Sequence, residues 1–164
     1  MSLIVEDGTG LENANTYISL TYADTYHSEL GNADWTGADQ ADKEAALLRA
    51  TQYIDGKHGR RWVGRKKTAE QGLDWPRFGA FDSDGWQLFE VPDEVGKATA
   101  EAALLVIQGE ELTPSLDRGG RVISETVGPI STTYADGAPA TPTHTVVTYL
   151  LSRVLKPAGI KITR

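Results

Sequence analysis

Val91-Pro92-Asp93-Glu94-Val95-Gly96-Lys97-Ala98-Thr99-Ala100-Glu101-Ala102-Ala103-Leu104-Leu105-Val106-Ile107-Gln108 is the stretch whose reading decides the fold. Pro92 suits a first helical position, where a missing N–H costs nothing, and Asp93 and Glu94 follow at the positive end of the helix dipole. Val95, Ala98, Ala102, Leu105, Gly109 and Leu112 then recur at alternating spacings of three and four, so they share one face. Ala98, Ala102 and Gly109 are small, which lets another helix come close. Lys97, Glu101, Gln108 and Glu110 fall mostly elsewhere and can stay wet. The pattern predicts a central helix that is scaffold and carries no chemistry.

Upstream, residues 1–15 read as an extended start with Gly8-Thr9-Gly10 as a turn, and Thr16-Tyr17-Ile18 as a short extended piece. Ser19 is a candidate N-cap for a helix over 20–30, with Leu20, Ala23, Tyr26 and Leu30 inward and Gly31 closing it. Trp35 anchors a loop over 32–38. Asp39 opens a second helix over about 40–55, which Gly56 and Gly59 end. Lys57-His58-Gly59-Arg60-Arg61-Trp62-Val63-Gly64-Arg65-Lys66-Lys67 follows and holds six of the chain's 16 lysines and arginines. Gln71 to Arg77 is an irregular packed loop, because Pro76 pushes Trp75 into an extended conformation. Asp82-Ser83-Asp84-Gly85 is a turn, and Trp86 to Phe89 lead into the central helix.

Downstream of Pro114 the character changes. Arg121 to Tyr134 is rich in β-branched residues and split by Gly128-Pro129, which predicts two strands or one bent strand. Residues 135–142 form a Pro/Ala/Gly linker. Val146, Val147, Leu150, Leu151, Val154 and Leu155 predict a last amphipathic helix, stopped by Pro157 and Gly159, and the tail alternates Ile160 and Ile162 with polar residues. The chain therefore reads as mainly α, a small bundle of about four helices with a short β-hairpin or strand insertion and an extended C-terminal tail. One domain over 1–164 divides into a helical core at about 16–112, a β element at about 120–135, and a C-terminal helix and tail at about 143–164.

The totals narrow the function classes. A chain of 164 residues can bury about 70% of its unfolded surface as one domain. No apolar run approaches the roughly 20 residues that span a bilayer, and Met1 to Asp7 lacks the basic start of a signal peptide, so no membrane is expected. With no cysteine there is no disulfide, thiol nucleophile or thiolate zinc site. A net charge of −7 argues against a protein that coats DNA generally, while leaving room for a local basic patch.

The motifs fail on their spacing. Gly59 to Lys66 approaches a phosphate-binding loop, but Arg65 and Lys66 stand where Lys and Ser or Thr are needed, and Arg61 and Trp62 are too bulky for a backbone cradle. Asp82, Asp84 and Gly85 resemble the middle of a calcium loop whose end positions fall on Ala80 and Val91. His27, His58 and His144 have no partner at ligand spacing, and His27 is expected on a helix surface. No Gly-x-Ser-x-Gly occurs. No cofactor, metal or catalytic residue is expected. The basic stretch is the one competitor: Lys57, Arg60, Arg61, Arg65, Lys66 and Lys67, with Trp62 to stack a base, are how single-strand binders follow a backbone. The same cluster can equally meet an acidic face of a neighbouring copy.

An ordered set of segments carries a resemblance. Asn13-Ala14-Asn15-Thr16-Tyr17-Ile18-Ser19-Leu20, Ala23-Asp24-Thr25-Tyr26 and Ala45 to Asp55 are followed by Gln71-Gly72-Leu73-Asp74-Trp75-Pro76-Arg77, Val91 to Val95 and Ser124 to Gly128. From about Asn13 to Leu155 the sequence resembles the head-to-tail adaptor, or head-completion, proteins of long-tailed bacteriophages. That family is also labelled DnaT-like single-strand DNA-binding. The resemblance implies a helical core, no enzymatic activity, and a closed twelvefold ring in the virion neck, assembled in the host cytoplasm. The portal protein lies above the ring, the next neck or tail-completion protein below, and genome DNA passes through without sequence specificity. Twelve copies would carry roughly −80, and like charge lets DNA slide rather than stick. It implies portal docking by the last helix and tail, with Val154, Leu155, Lys156, Ile160, Ile162 and Arg164. It implies contact with other copies or the next ring by the strand region, with Arg121, Ile123, Glu125, Val127, Ile130 and Tyr134.

Overall fold

The computed structural model describes residues 2–113, 124–127, 130–133 and 144–156; between 124 and 133 it is the backbone pairing that is described. In chain order its helices are α1 (Leu20–Glu29), α2 (Ala33–Gly37), α3 (Gln40–His58), α4 (Asp93–Ile107) and α5 (Thr145–Leu151), the last followed by a 3-10 turn at Ser152–Val154. The strands form three separate antiparallel pairs: β1 (Arg65–Lys66) with β2 (Arg77–Phe78), β3 (Ala80–Phe81) with β4 (Gln87–Leu88), and β5 (Ser124–Val127) with β6 (Ile130–Thr133). The fold is mainly α with short β insertions, as the sequence predicts. Arg121, Ile123, Tyr134, Ile160, Ile162 and Arg164, with the 135–142 linker, lie outside the described residues.

Helix α4 is central. It packs against α1, α2, α3 and α5, and it buries Val95, Gly96, Ala98, Thr99, Ala100, Ala102, Ala103 and Leu104. Those residues cover more than the single stripe read from the spacing, and all but Leu104 and Val95 are small or short. Pro92 is the N-cap, extended at φ −62° and ψ 147°, and stands just outside the first turn. At the other end Gly109 adopts φ +84° and is exposed, ending the helix instead of extending its buried face, while Leu112 folds back and is buried. Leu105 is half-buried.

Helix α1 begins where Ser19 accepts the Tyr22 N–H at 3.1 Å and ends before Gly31 at φ +70°. Ala23 and His27, four residues apart, form its buried stripe, whereas Leu30 is 56% exposed. His27 thus corrects the surface expectation. Its Nε2 lies 3.1 Å from the Ala100 carbonyl and its Nδ1 2.9 Å from the Asn32 amide, so burial leaves no ring nitrogen unpaired. Trp35, expected in a loop, sits in α2, is fully buried, and donates to Asp24 at 2.8 Å. Helix α3 runs through Gly56, which is exposed with open space around it, and continues to His58; Gly59 is its C-cap. The last helix is shorter than predicted, ending at Leu151.

The N-terminal segment is built on one carboxylate. Glu6 is buried and accepts the Gly8, Gly10 and Leu11 N–H groups at 3.0, 2.8 and 2.9 Å. Gly8 and Gly10, both at φ +90°, let the turn close around it. The turn read at Asp82–Gly85 is present, with Asp82 Oδ1 accepting from Asp84 and Trp86 at 3.0 and 2.8 Å.

Close approach at α4 is testable. A side chain at Gly96 would meet Ile18 at 3.2 Å and the Tyr22 ring beyond. Gly96→Leu is expected to cost about 1–3 kcal/mol in urea unfolding, whereas Lys97→Ala, which removes a surface pair with Asp93, should cost under about 1 kcal/mol. Equal effects would contradict the packing described.

Candidate nucleic-acid interface

The basic stretch starts at the C-terminal end of α3, where three buried or half-buried groups set its shape. Tyr17 donates its hydroxyl to Asp55 in a short hydrogen bond. Asp55 accepts the Asp74 N–H at 3.0 Å, and the Tyr17 oxygen accepts it at 3.1 Å. Asp74 in turn accepts from the Trp62 indole at 3.2 Å and pairs with Lys66 at 3.3 Å. Burial outweighs the hydrogen bonds that favour the charged form and raises the Asp55 carboxyl to about 6; burial, then Asp55 itself, raises the Tyr17 hydroxyl well above its ordinary value.

Trp62 belongs to this core. It is fully buried, stands edge-on to Trp75 at 5.8 Å and lies 6.0 Å from the His58 ring. Its backbone bridges Leu155, and Lys156 donates its N–H to the Arg61 carbonyl at 2.6 Å. Trp62 is therefore withdrawn as a base-stacking residue: a side chain with no exposed face has nothing to offer a nucleotide. Leu155 and Val154 are buried on the same side, so they are corrected as direct docking residues too, leaving Lys156 exposed from that set.

The cations remain outside. Arg60, Arg61, Arg65, Lys66 and Lys67 are exposed, as is Lys57, which donates to the Tyr53 hydroxyl at 2.6 Å. Lys67 reaches the Gly8 carbonyl at 2.9 Å. Arg77 fixes the ribbon from below, donating to the carbonyls of Val63, Gly64 and Asp74 at 2.6, 3.1 and 3.0 Å. Gly64 sits at φ +67° with the Phe78 carbonyl 2.7 Å from where a Cβ would stand, so this crossing admits no side chain. Arg65 pairs across the ribbon with Phe78 and holds its guanidinium 5.1 Å over that ring, which is 60% exposed.

Phe78 is the aromatic that reading the sequence missed. Phe81, Trp86 and Phe89 are also exposed. The sequence signal is the spacing of aromatics at 78, 81, 86 and 89 around Gly79 and Gly85; Phe78 and Phe81 fall in two-residue strands and Trp86 and Phe89 flank a third. A solvated cation over an exposed ring is what a phosphate backbone and a stacked base require together.

A family model described as "Putative DnaT-like ssDNA binding protein" matches residues 1–164. The chain belongs to this family. Comparison with curated proteins and with solved structures gave no match. The description of this DnaT-like family names single-stranded DNA. Among the described residues there is no cluster of three or more metal-ligating side chains, and no helix is long and apolar enough to cross a membrane. Glu125, Val127 and Ile130 lie in the β5–β6 hairpin, where Val127 pairs with Ile130.

His58 gives this end of the molecule a pH signature. It is 2% exposed, neither ring nitrogen has a partner among the described residues, and burial, reinforced by Lys57 and Arg61, pushes it down to about 4. Between about 4 and 6.5 the unfolded chain binds this proton and the folded chain does not, so His58 makes stability fall as pH falls. Asp55 acts oppositely: between 3.8 and about 6 the folded form holds the extra proton, and its contribution is lost as pH rises. Relative to wild type, Asp55→Asn should steepen the rise of stability with pH across this window, and His58→Leu should flatten or reverse it. Urea unfolding at several pH values checks both, and parallel curves for all three proteins would contradict the assignment.

Proposed function

We propose that the chain is a structural subunit of a phage neck, a ring-forming adaptor between the portal protein and the next neck or tail-completion protein, with genome DNA passing through the lumen. The observation that carries this reading is the β5–β6 hairpin, inserted between α4 and α5 and, among the described residues, paired only within itself. A two-stranded hairpin is marginal in water and leaves two open edges, so it is suited to completion by a neighbour. Repetition of one heterologous contact closes a ring without a free end. The role calls for no bond-making residues, and the net charge of −7 suits a channel that DNA crosses without adhering. The site of action would be the virion neck, after assembly in the host cytoplasm.

Co-expression with the portal protein of the same phage tests it. Copurification as a ring-on-ring particle, resolved by native mass spectrometry, is expected. A chain that neither copurifies nor occurs in mature particles would overturn the reading.

A second reading is favoured by the family description and by the Arg65–Phe78 pair: a single-stranded DNA binder using Arg60, Arg61, Arg65 and Phe78. It predicts oligonucleotide binding whose logarithmic salt slope shrinks by about 0.7 for each arginine changed to Ala. Phe78→Ala should cost about 1–3 kcal/mol of affinity. No mobility shift in low salt would remove this reading.

A further inference from the structure

Exposed charges of opposite sign stand at the two ends of α3. Beyond its C-terminus stand Arg60, Arg61 and Arg65, exposed and, among the described residues, without a carboxylate partner. At its N-terminus stand Asp39 and Asp42, exposed and, among the described residues, without a cation; Asp34 beside them accepts from the Gln108 amide at 2.8 Å. The nineteen residues of α3, a rise of about 28 Å, run from just after Asp39 to just before Gly59. The helix dipole accounts for an acid in the first turn and a base in the last, because its influence dies within one turn. It does not account for Arg60, Arg61 and Arg65 beyond the helix, whereas Asp34 stands in the first turn of α2.

The acidic end is concave. Asp34 and Asp42 line an open groove of about 570 Å³ between α2, α3 and the C-terminal end of α4, with Arg49 on the α3 wall about two turns further along. The basic end is exposed and tied down by the Arg77 and Trp62 contacts described above. One chain thus carries both halves of a complementary pair on opposite ends, which is the geometry of a heterologous contact.

We infer that copies of this chain associate head to tail, with Arg60, Arg61 and Arg65 of one copy meeting Asp34, Asp39 and Asp42 of the next. This rests on the ring reading above and assigns the surface through which the ring is made. Complementary charge at a rim contact sets register and speeds encounter, and like charge at the same place opposes it. The contact is also salt-sensitive, because exposed pairs are screened over about 10 Å at 0.1 M salt.

Charge reversal at each end separately, then at both, is the test. Variants Arg60→Glu/Arg61→Glu and Asp39→Lys/Asp42→Lys, and the chain carrying all four changes, are compared with wild type by sedimentation velocity and mass photometry, with far-UV circular dichroism to verify folding. The neutral variant Arg60→Gln/Arg61→Gln serves if a reversal unfolds the chain. Each single-end reversal is expected to weaken association about tenfold or more, and the combined variant to restore it. High salt should weaken wild type and the combined variant alike. Single-end reversals that assemble as wild type does would overturn the contact while leaving the ring reading intact. A wild type that loads onto the portal yet never self-associates would do the same; one that does neither would overturn both. If the Arg60/Arg61 reversal abolishes oligonucleotide binding and leaves assembly unchanged, the basic end belongs to DNA and the contact proposed is wrong.

Discussion

Close approach to α4 is the constraint on which the rest of the structure depends. Gly96, Ala98, Ala100, Ala102 and Ala103 bring four other helices against one another around a single rod. A helix with so little side-chain volume cannot fill a core alone. Its neighbours supply the bulk: Trp35 from α2, Leu47 and Ile54 from α3, Val147 and Leu151 from α5. Such packing tolerates neither added nor missing volume, so the bundle holds its surface features in fixed relation. That rigidity matters more for a subunit that must repeat identically around a ring than for an isolated binder.

Much of this was legible in the sequence, for identifiable reasons. Ser19 and Gly31 mark helix ends by local chemistry that tertiary structure does not override, and α1 and α3 start where the sequence predicts, although Asp39 makes no side-chain capping bond. The Asp82–Gly85 turn is equally local. What failed was non-local. His27 reads as a surface residue because a lone histidine between Tyr26 and Ser28 carries no hint that the Ala100 carbonyl awaits it 73 positions later. Gly56 reads as a stop because glycine disfavours helix, yet packing on either side carries α3 through it. Pro92 lies one place outside the helix that its presence announces.

The candidate site divides in the same way. That the 57–67 stretch is cationic and exposed follows from composition, and the structure keeps Arg60, Arg61, Arg65, Lys66 and Lys67 at the surface. Which aromatic accompanies them does not follow from adjacency. Trp62, embedded in the run, is drawn inward by Trp75 and Asp74, while Phe78, 13 residues from Arg65, is brought beneath it by β-pairing. Burial of Trp62 also explains why the run is ordered: it ties the loop to α3, to Asp74 and to the chain near Leu155. The portal-facing expectation for Val154 and Leu155 fails for a related reason, since their apolar side chains complete this chain's own core.

On the reading proposed above, this polypeptide is a rigid repeated piece of a phage neck and works through its outer surfaces. Cryo-electron microscopy of phage necks assembled with this chain decides whether that reading holds. The expected result is a ring whose repeating density accepts the α1–α5 bundle unaltered, with α3 of adjacent copies oriented end to end. A neck lacking this chain, or a ring whose density demands a rearranged bundle, would contradict it.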